Sequence, residues 1–402
     1  MNRTSERLAA DATSALTSDI IPFWLRYGID SEHGGIWTAL DQTGRLMESD
    51  KSGWFQGRAL WTFSRCITDL AAGEADRTTW FAAAAQIHGF LETSCRRDDG
   101  RYYFRVTRDG RPLIMRRYIF TEAFAALGNA AFSAAAAQMG APELSRTAWK
   151  SAQQTMAKID ELLEAGALAP KMVPETRTSD GFAVPMILLN LLQEFRRTDP
   201  DSAGSYTARI DALVSELDRF IDVEHQCIRE QINPDGTFQD HLEGRQLNPG
   251  HAIEAAWFIL EEARWRRSAG VNGSDRLVRT GLQILDWMWD WGWDAEYGGI
   301  LYFRDLAGFE SFEYWQDMKF WWPHCEAIIA GSLAYHLTGE DRYAQLFDQV
   351  YDWTLAHFPD PVHGEWFGYL HRDGTPANHL KGTLFKGPFH IPRMYLMLAA
   401  IG

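Results

Sequence analysis

The sequence predicts an all-α fold, an (α/α)6 barrel in which six helix hairpins close into a toroid, with short β-hairpin excursions at one mouth and residues 1–402 forming one domain. Three observations predict it. One unit recurs six times along the chain. A helical spacing of apolar residues fills the stretch between one unit's long helix and the next unit's turn. A hydrophobic fraction of 46% and a charged fraction of 23% supply enough apolar side chains for one large core.

Each unit contains an acidic, glycine-containing turn, a short aromatic alternating stretch, a second turn and a helix rich in Ala and Leu. The first runs from "SEHGGIWTALDQTGRL" into "SGWFQGRALWTFSRCI", and the second from "RRDDGRYYFRVTRDGRP" into "RRYIFTEAFAALGNAAF". The third is degenerate and keeps only "SDGFAVPMILLNLLQEF". The fourth joins "DVEHQCIREQINPDGTF" to "NPGHAIEAAWFILEEA", the fifth "DAEYGGILYFRDL" to "KFWWPHCEAIIAGSLAYHL", and the sixth "DPVHGEWFGYLHRDGTP" to "FKGPFHIPRMYLMLAA". The turn glycines Gly35, Gly100, Gly299 and Gly364 are spaced by whole multiples of roughly 65 residues. Intervening segments such as "DRLVRTGLQILDWMWDWGW" supply each unit's other helix. One helix pair cannot bury its apolar face alone, so the pairs must stack. Closure into a ring is the expectation, and an open solenoid is the competing arrangement.

Proline marks where the second helix of several units begins: Pro185, Pro249, Pro323 and Pro388. Its missing N–H costs nothing in a first helical turn. His251, His324 and His390 each follow such a proline by one or two residues, so three imidazoles are expected at equivalent helix starts facing one axis. The positive end of a helix dipole disfavours imidazolium and predicts neutral rings that can accept a proton. His251 and Glu254 are three apart and share a helix face, whereas His324 and Glu326 do not, so only one of that pair is expected to look inward. Arg58, in "WFQGR", falls beside the sixth unit once the ring closes. Glu122, Asp317, Lys319 and Arg393 are further polar candidates at this rim, for which a structural role is the simpler reading.

Composition excludes several classes. A net charge of −15 repels nucleic-acid phosphates. No run of about 18 uncharged apolar residues is present and the amino terminus has no basic-then-apolar leader, so neither membrane insertion nor export is expected. Cys66, Cys95, Cys227 and Cys325 have no metal-binding or paired spacing, which suits a reduced, cytoplasmic setting. No helical metal signature, phosphate loop or dinucleotide fingerprint occurs, and no metal site is expected. An aromatic share of 13% offers flat rings that can stack on the C–H faces of a sugar.

The blocks "GWFQGR", "AVPMILLNLL", "RQLNPGHAIEAAWF", "WDAEYGGILYF", "KFWWPHCEA", "GEWFGYLHRDG" and "FKGPFHIPR", in this order, resemble the N-acylglucosamine 2-epimerase family from about residue 33 onward. The resemblance implies an (α/α)6-barrel isomerase of the cytoplasm, often a homodimer, that interconverts N-acetylglucosamine and N-acetylmannosamine with no cofactor required for the chemistry. It implies that His251 and His390 are an acid/base pair, that Arg58 lies near the C1 oxygen, and that Glu254 and Glu326 are carboxylates lining the pocket. Trp54, Trp321, Trp322 and Trp366 would form the walls, with Gln56, Glu122, Lys319 and His324 as further substrate contacts. Some family members are activated by ATP. The matching segment here, "EAGALAPKMVPETRTSDG", offers Lys171 as a nucleotide contact but no glycine-rich cradle, so ATP dependence stays open. Three alternatives remain at this point: an epimerase or aldose–ketose isomerase of unsubstituted sugars such as mannose or cellobiose, a glycoside hydrolase using Glu254 and Glu326, and a non-catalytic binding protein.

Overall fold

The computed structural model describes residues 5–401. Twelve long helices follow one another in pairs: α1 (Ser5–Ala15, carried through a π-helical turn, Leu16–Ile20, to Ile21–Tyr27) and α2 (Gly53–Asp69); α3 (Glu74–Phe90) and α4 (Phe120–Gln138); α5 (Pro142–Glu164) and α6 (Ala183–Thr198); α7 (Ala203–Asp218) and α8 (Pro249–Ala269); α9 (Ser274–Gly292) and α10 (Trp321–Thr338); α11 (Asp341–His357) and α12 (His390–Ile401). The even-numbered helices form an inner ring, each packed on the next, and α12 packs back on α2. That last contact closes the barrel and excludes the open solenoid. The odd-numbered helices form the outer ring.

Sequence explains which ring each helix joins. Outer α9 buries Leu277, Val278, Gly281, Ile284, Leu285 and Met288, one stripe at three and four spacing. Inner α10 is buried without a break from Trp321 to Ala334, because it meets neighbours on every side. The Ala-rich α4 lies so close to α2 that a Cβ on Gly57 would stand 2.4 Å from the Phe124 carbonyl oxygen, and one on Gly128 would stand 2.4 Å from that of Gly57. Glycine is required there for space. The helix starts fit the proline reading in part. Pro249 is the first residue of α8, where Asn248 Oδ1 caps by accepting from His251 N at 3.2 Å. Pro185 and Pro323 lie within first turns, but Pro388 precedes α12, and its carbonyl accepts from Thr62 Oγ1 at 2.5 Å.

The excursions stitch neighbouring units together around the mouth. The strand leading into an inner helix pairs antiparallel with the following unit's excursion: Lys51–Ser52 with Arg105–Val106, Asp180–Gly181 with Gln231–Ile232, Gln246–Leu247 with Arg304–Asp305, and Lys319–Phe320 with Tyr369–Leu370. Gly382 bridges to Leu40 and carries the stitch from the sixth unit to the first. Among the described residues no such pairing joins the second unit to the third, the copy that is degenerate in sequence.

A buried ion cluster repeats beneath these strands. Asp30 binds Lys51 Nζ at 2.7 Å and Arg108 of the next unit at 3.0 Å. Asp294 binds Lys319 Nζ at 2.9 Å and Arg372 of the next unit at 2.8 Å. Asp360 binds Lys381 Nζ at 3.0 Å and Gln42 of the first unit at 2.9 Å. All three lysines are fully buried. No helix among the described residues is long and apolar enough to cross a membrane, and all four cysteines are buried and unpaired.

Burial by itself would raise the three aspartic acids. Hydrogen bonds from their cationic and amide partners outweigh it, holding Asp360 at about 2 and Asp30 and Asp294 below the usual carboxylate range. Depressed folded-state values mean that this stabilisation is complete above the unfolded value of about 3.9 and is lost as pH falls toward 2. Urea unfolding followed against pH is therefore expected to show stability dropping steeply below about pH 4. Asp294→Asn, which strands the buried Lys319, is expected to cost about 3–5 kcal/mol at neutral pH.

Candidate active site

A cavity of about 580 Å³ opens at the mouth where the inner helices begin. Four of those helices aim their first two turns into it. Helix α2 contributes Trp54 and Arg58, α8 contributes His251 and Glu254, α10 contributes Trp321 and Trp322, and α12 contributes His390. The fifth and sixth excursions complete the wall with Tyr302, Phe303, Met318, Phe320, Tyr369 and Phe385, together with the polar Glu313 and Asn378. Both imidazoles face the same indole: the His251 ring lies 5.2 Å and the His390 ring 5.8 Å from that of Trp322. Two histidines 139 positions apart in sequence thus share one small space.

Beneath His390 lies Arg393, one turn along α12 and buried. Its Nη2 donates to Glu254 Oε1 and, at 2.8 Å, to Glu326 Oε2. Glu326 Oε2 also accepts from Trp257 Nε1 at 2.6 Å, and its Oε1 stands 2.7 Å from His390 Nδ1. His390 Nδ1 also has Arg393 Nη2 at 3.3 Å, but the Glu326 carboxylate is nearer and, when ionised, can only accept, so Nδ1 carries the proton and donates to it. That tautomer leaves His390 Nε2 bare as a base. Burial, reinforced by the nearby Arg58 and Arg393 cations, holds His390 well below the ordinary histidine value. Burial likewise raises Glu326, although Arg393 opposes the shift.

His251 sits in the opposite electrostatic setting. Its Nδ1 lies 3.1 Å from Glu230 Oε2. Burial would lower this imidazole, but the Glu230 carboxylate more than offsets it and the group ends above its ordinary value. The helix-dipole argument, which predicts two neutral rings, holds for His390 in direction and fails for His251, because a carboxylate in contact outweighs the partial charge of a helix end. Arg58 has no carboxylate within ion-pair distance among the described residues. Its guanidinium lies over Trp54 at 4.7 Å, Phe124 at 4.1 Å and Phe389 at 4.8 Å. Burial among these rings pulls it down to about 9, which leaves it cationic at neutral pH.

Several residues expected at the site belong to the scaffold instead, and the repeat explains why. Four excursions, those of the first, second, fifth and sixth units, have a bridging residue at the same place: Ile36, Tyr102, Ile300 and Trp366. Gln56 is spent on the first, accepting from Ile36 N and donating to Ile36 O, both at 2.8 Å. Glu122 accepts from Tyr102 N at 3.1 Å and pairs with Arg101 at 2.8 Å. His324 Nε2 accepts from Ile300 N at 2.9 Å while its Nδ1–H donates to Phe320 O at 2.6 Å, and burial holds it neutral at about 3. Trp366 is itself a bridging residue, buried and stacked on Phe358. Lys319 is the fifth unit's copy of the buried ion pair.

Glu326 faces inward where His324 does not, yet it lies behind His390 and does not line the cavity. Lys171 is on an exposed stretch between α5 and α6, and Asp317 is exposed. Glu230 could not be found from sequence, since "CIREQ" matches no motif. Its position follows from the strand pairing that brings its segment against the start of α6, where Phe182 N donates to Glu230 O at 3.0 Å.

The arrangement supports proton transfer rather than hydrolysis or metal chemistry. Glu254 and Glu326 are held by one guanidinium on the same side of the site, so they cannot flank a glycosidic bond as opposed acid and base. Glu254, Glu326 and His390 lie close enough to suggest a cation site, but Arg393 already occupies the place between the carboxylates.

Residues 34–389 match the family model of N-acylglucosamine 2-epimerase (GlcNAc 2-epimerase). N-acylglucosamine 2-epimerase of Bos taurus is 33% identical over 404 residues, spanning 99% of this chain and 92% of that protein, and its Homo sapiens counterpart is 33% identical over 94% and 86%. Cellobiose 2-epimerase of Bacteroides fragilis is 24% identical over 98% and 99%. Among solved structures, cellobiose 2-epimerase from Spirochaeta thermophila superposes with a TM-score of 0.81 at 21% identity, over 99% of this chain and 97% of that one. A D-mannose isomerase superposes with a TM-score of 0.78 at 16% identity, over 99% of each chain.

The contrast between the two imidazoles can be measured directly. In a histidine NMR titration, His251 is expected to titrate above 6.5 and His390 to stay neutral through the accessible range. Glu230→Gln removes the largest contribution that opposes burial, so His251 should then titrate lower than in the wild type.

Proposed function

Because the chain belongs to the N-acylglucosamine 2-epimerase family, we propose that this sugar 2-epimerase interconverts N-acyl-D-glucosamine and N-acyl-D-mannosamine by two-base proton transfer at C2. The observation that carries the reading is that His251 and His390 line one cavity and face the same indole. Inverting a carbon next to a carbonyl requires removing its proton from one face and returning one to the other. The ring-opened sugar carries that carbonyl at C1.

The two histidines suit these roles because they differ. The downward shift of His390 and the upward shift of His251 beside Glu230 set the two rings apart in the direction that suits one base and one acid. In one direction His390 Nε2 takes the C2 proton and His251 delivers its own to the opposite face. The reverse direction starts from the same pair with the proton on the other ring, so both directions share one pH window. The electron pair left by the C2 proton moves onto the C1 oxygen, and the Arg58 cation stabilises that enolate. Rings surround Arg58 and no carboxylate is in direct ion-pair contact with it, so its donors stay free to face the oxyanion. Glu326 and Arg393 are positioning residues that fix the tautomer of His390, and Glu254 closes the base of the pocket.

A cytoplasmic homodimer fits the family. ATP, with Lys171 as its candidate contact, would act as an allosteric activator outside this cavity, which Lys171 does not line. The 24% identity to a cellobiose 2-epimerase keeps unsubstituted sugars as the second reading.

Product analysis with N-acetylglucosamine, N-acetylmannosamine, glucose, mannose and cellobiose tests the proposal. Turnover of the N-acyl pair with kcat/KM at least tenfold above the others is expected, and turnover of mannose to fructose alone contradicts it. His251→Ala and His390→Ala should each lower kcat by about 10²–10⁴-fold, and Arg58→Met by about 10²–10³-fold. Unchanged turnover in both histidine variants contradicts the two-base assignment.

A further inference from the structure

Resting on the reading above, the cavity also assigns a place to the acyl group. With C2 between the two imidazoles and its C1 oxygen at Arg58, the planar intermediate has two remaining in-plane bonds, to C3 and to nitrogen. One lies cis and the other trans to the C1 oxygen, so the trans bond points away from Arg58. Apart from the rings packed on Arg58, much of the wall comes from the fifth and sixth excursions, and it offers two chemistries. Glu313 and Asn378 can pair with the hydroxyls of C3 to C6. Tyr302 meets Phe320 in a tilted contact at 4.0 Å and stands edge-on to Trp322 at 6.0 Å, and Phe303 and Met318 line the same cavity as an apolar surface.

A hydroxyl pressed on that surface would lose its water without gaining a partner, at a cost of about 1–3 kcal/mol. An acyl methyl loses nothing there. The surface is also stiff: Phe303 N donates to Gln316 O at 2.9 Å, Met318 N donates to Trp315 O at 3.1 Å, and the strand following Met318 is paired to Tyr369–Leu370. A stiff apolar wall can discriminate between chains that differ by one or two methylenes.

We infer that Met318 and Phe303 determine which N-acyl group the enzyme accepts, forming the surface on which the acyl chain lies and limiting its length by their bulk. The test compares kcat/KM for N-acetyl-, N-propanoyl- and N-butanoylmannosamine. In Met318→Ala and Phe303→Ala the butanoyl-to-acetyl ratio should rise about tenfold or more over wild type, whereas Met318→Leu, which conserves volume, should keep it within about twofold. Far-UV circular dichroism and thermal unfolding of each variant separate loss of fold from change of preference.

A rise in either alanine variant supports the inference. A ratio unchanged in both folded alanine variants, with the wild type active on N-acyl sugars, overturns it while leaving the proposed function standing. A wild-type enzyme active only on unsubstituted sugars overturns both.

Discussion

The structure depends most on one buried guanidinium. Arg393 of α12 holds Glu254 of α8 and Glu326 of α10, and through Glu326 it fixes His390. Three inner helices from the last three units meet at this point on the barrel axis. Two carboxylates and a guanidinium taken out of water are costly, and removing one member of such a cluster typically costs about 3–5 kcal/mol because a charge is left without its partner. Seating α12 in the ring is therefore tied to assembling the site. The helix that closes the barrel carries both the clamp and the base that the clamp orients.

Around this asymmetric centre the six units repeat the same scaffold devices. Buried Asp–Lys pairs recur in the first, fifth and sixth units, and each is completed by a residue of the following unit. Polar side chains at the starts of α2, α4 and α10 satisfy the backbone of their own excursions. These devices hold the mouth in shape, so that a few unrepeated residues can do chemistry there. Arg58 illustrates the division. Glycines at 57 and 128 bring α2 and α4 into backbone contact, and the rings of Trp54, Phe124 and Phe389 then enclose the cation.

The barrel was legible in the sequence because six similar units with helical spacing have few ways to bury their apolar faces, and proline marked the starts of α6, α8 and α10. Arg58, His251, Glu254 and His390, with Trp54, Trp321 and Trp322, do meet in one cavity. The errors share a cause. Periodicity shows that a residue lies in the first turn of an inner helix, but not whether it points at the axis or back at its own excursion. Gln56, Glu122 and His324 occupy such turns and point back. Lys319 and Trp366 looked functional for their chemical type, yet they are copies of scaffold positions, Lys51 and Lys381 for one and Ile36, Tyr102 and Ile300 for the other. Arg393 was weighed as merely structural because sequence cannot show that one arginine lies between carboxylates 72 positions apart. Glu230 was invisible because its contact with His251 depends on how a short excursion folds across two units.

The difference between the two imidazoles matters beyond their being a pair. On the proposed reading, the imidazole beside the Arg58 and Arg393 cations would serve as base and the one held by the Glu230 carboxylate as acid, so the proton removed by one ring need not be the proton returned by the other. Following solvent deuterium at C2 during the first few per cent of conversion in heavy water tests this most directly. The account predicts that each newly formed epimer carries deuterium at C2 while the recovered starting sugar keeps its original hydrogen. Product that retains the substrate's own hydrogen, or starting sugar labelled as fast as product, would contradict it.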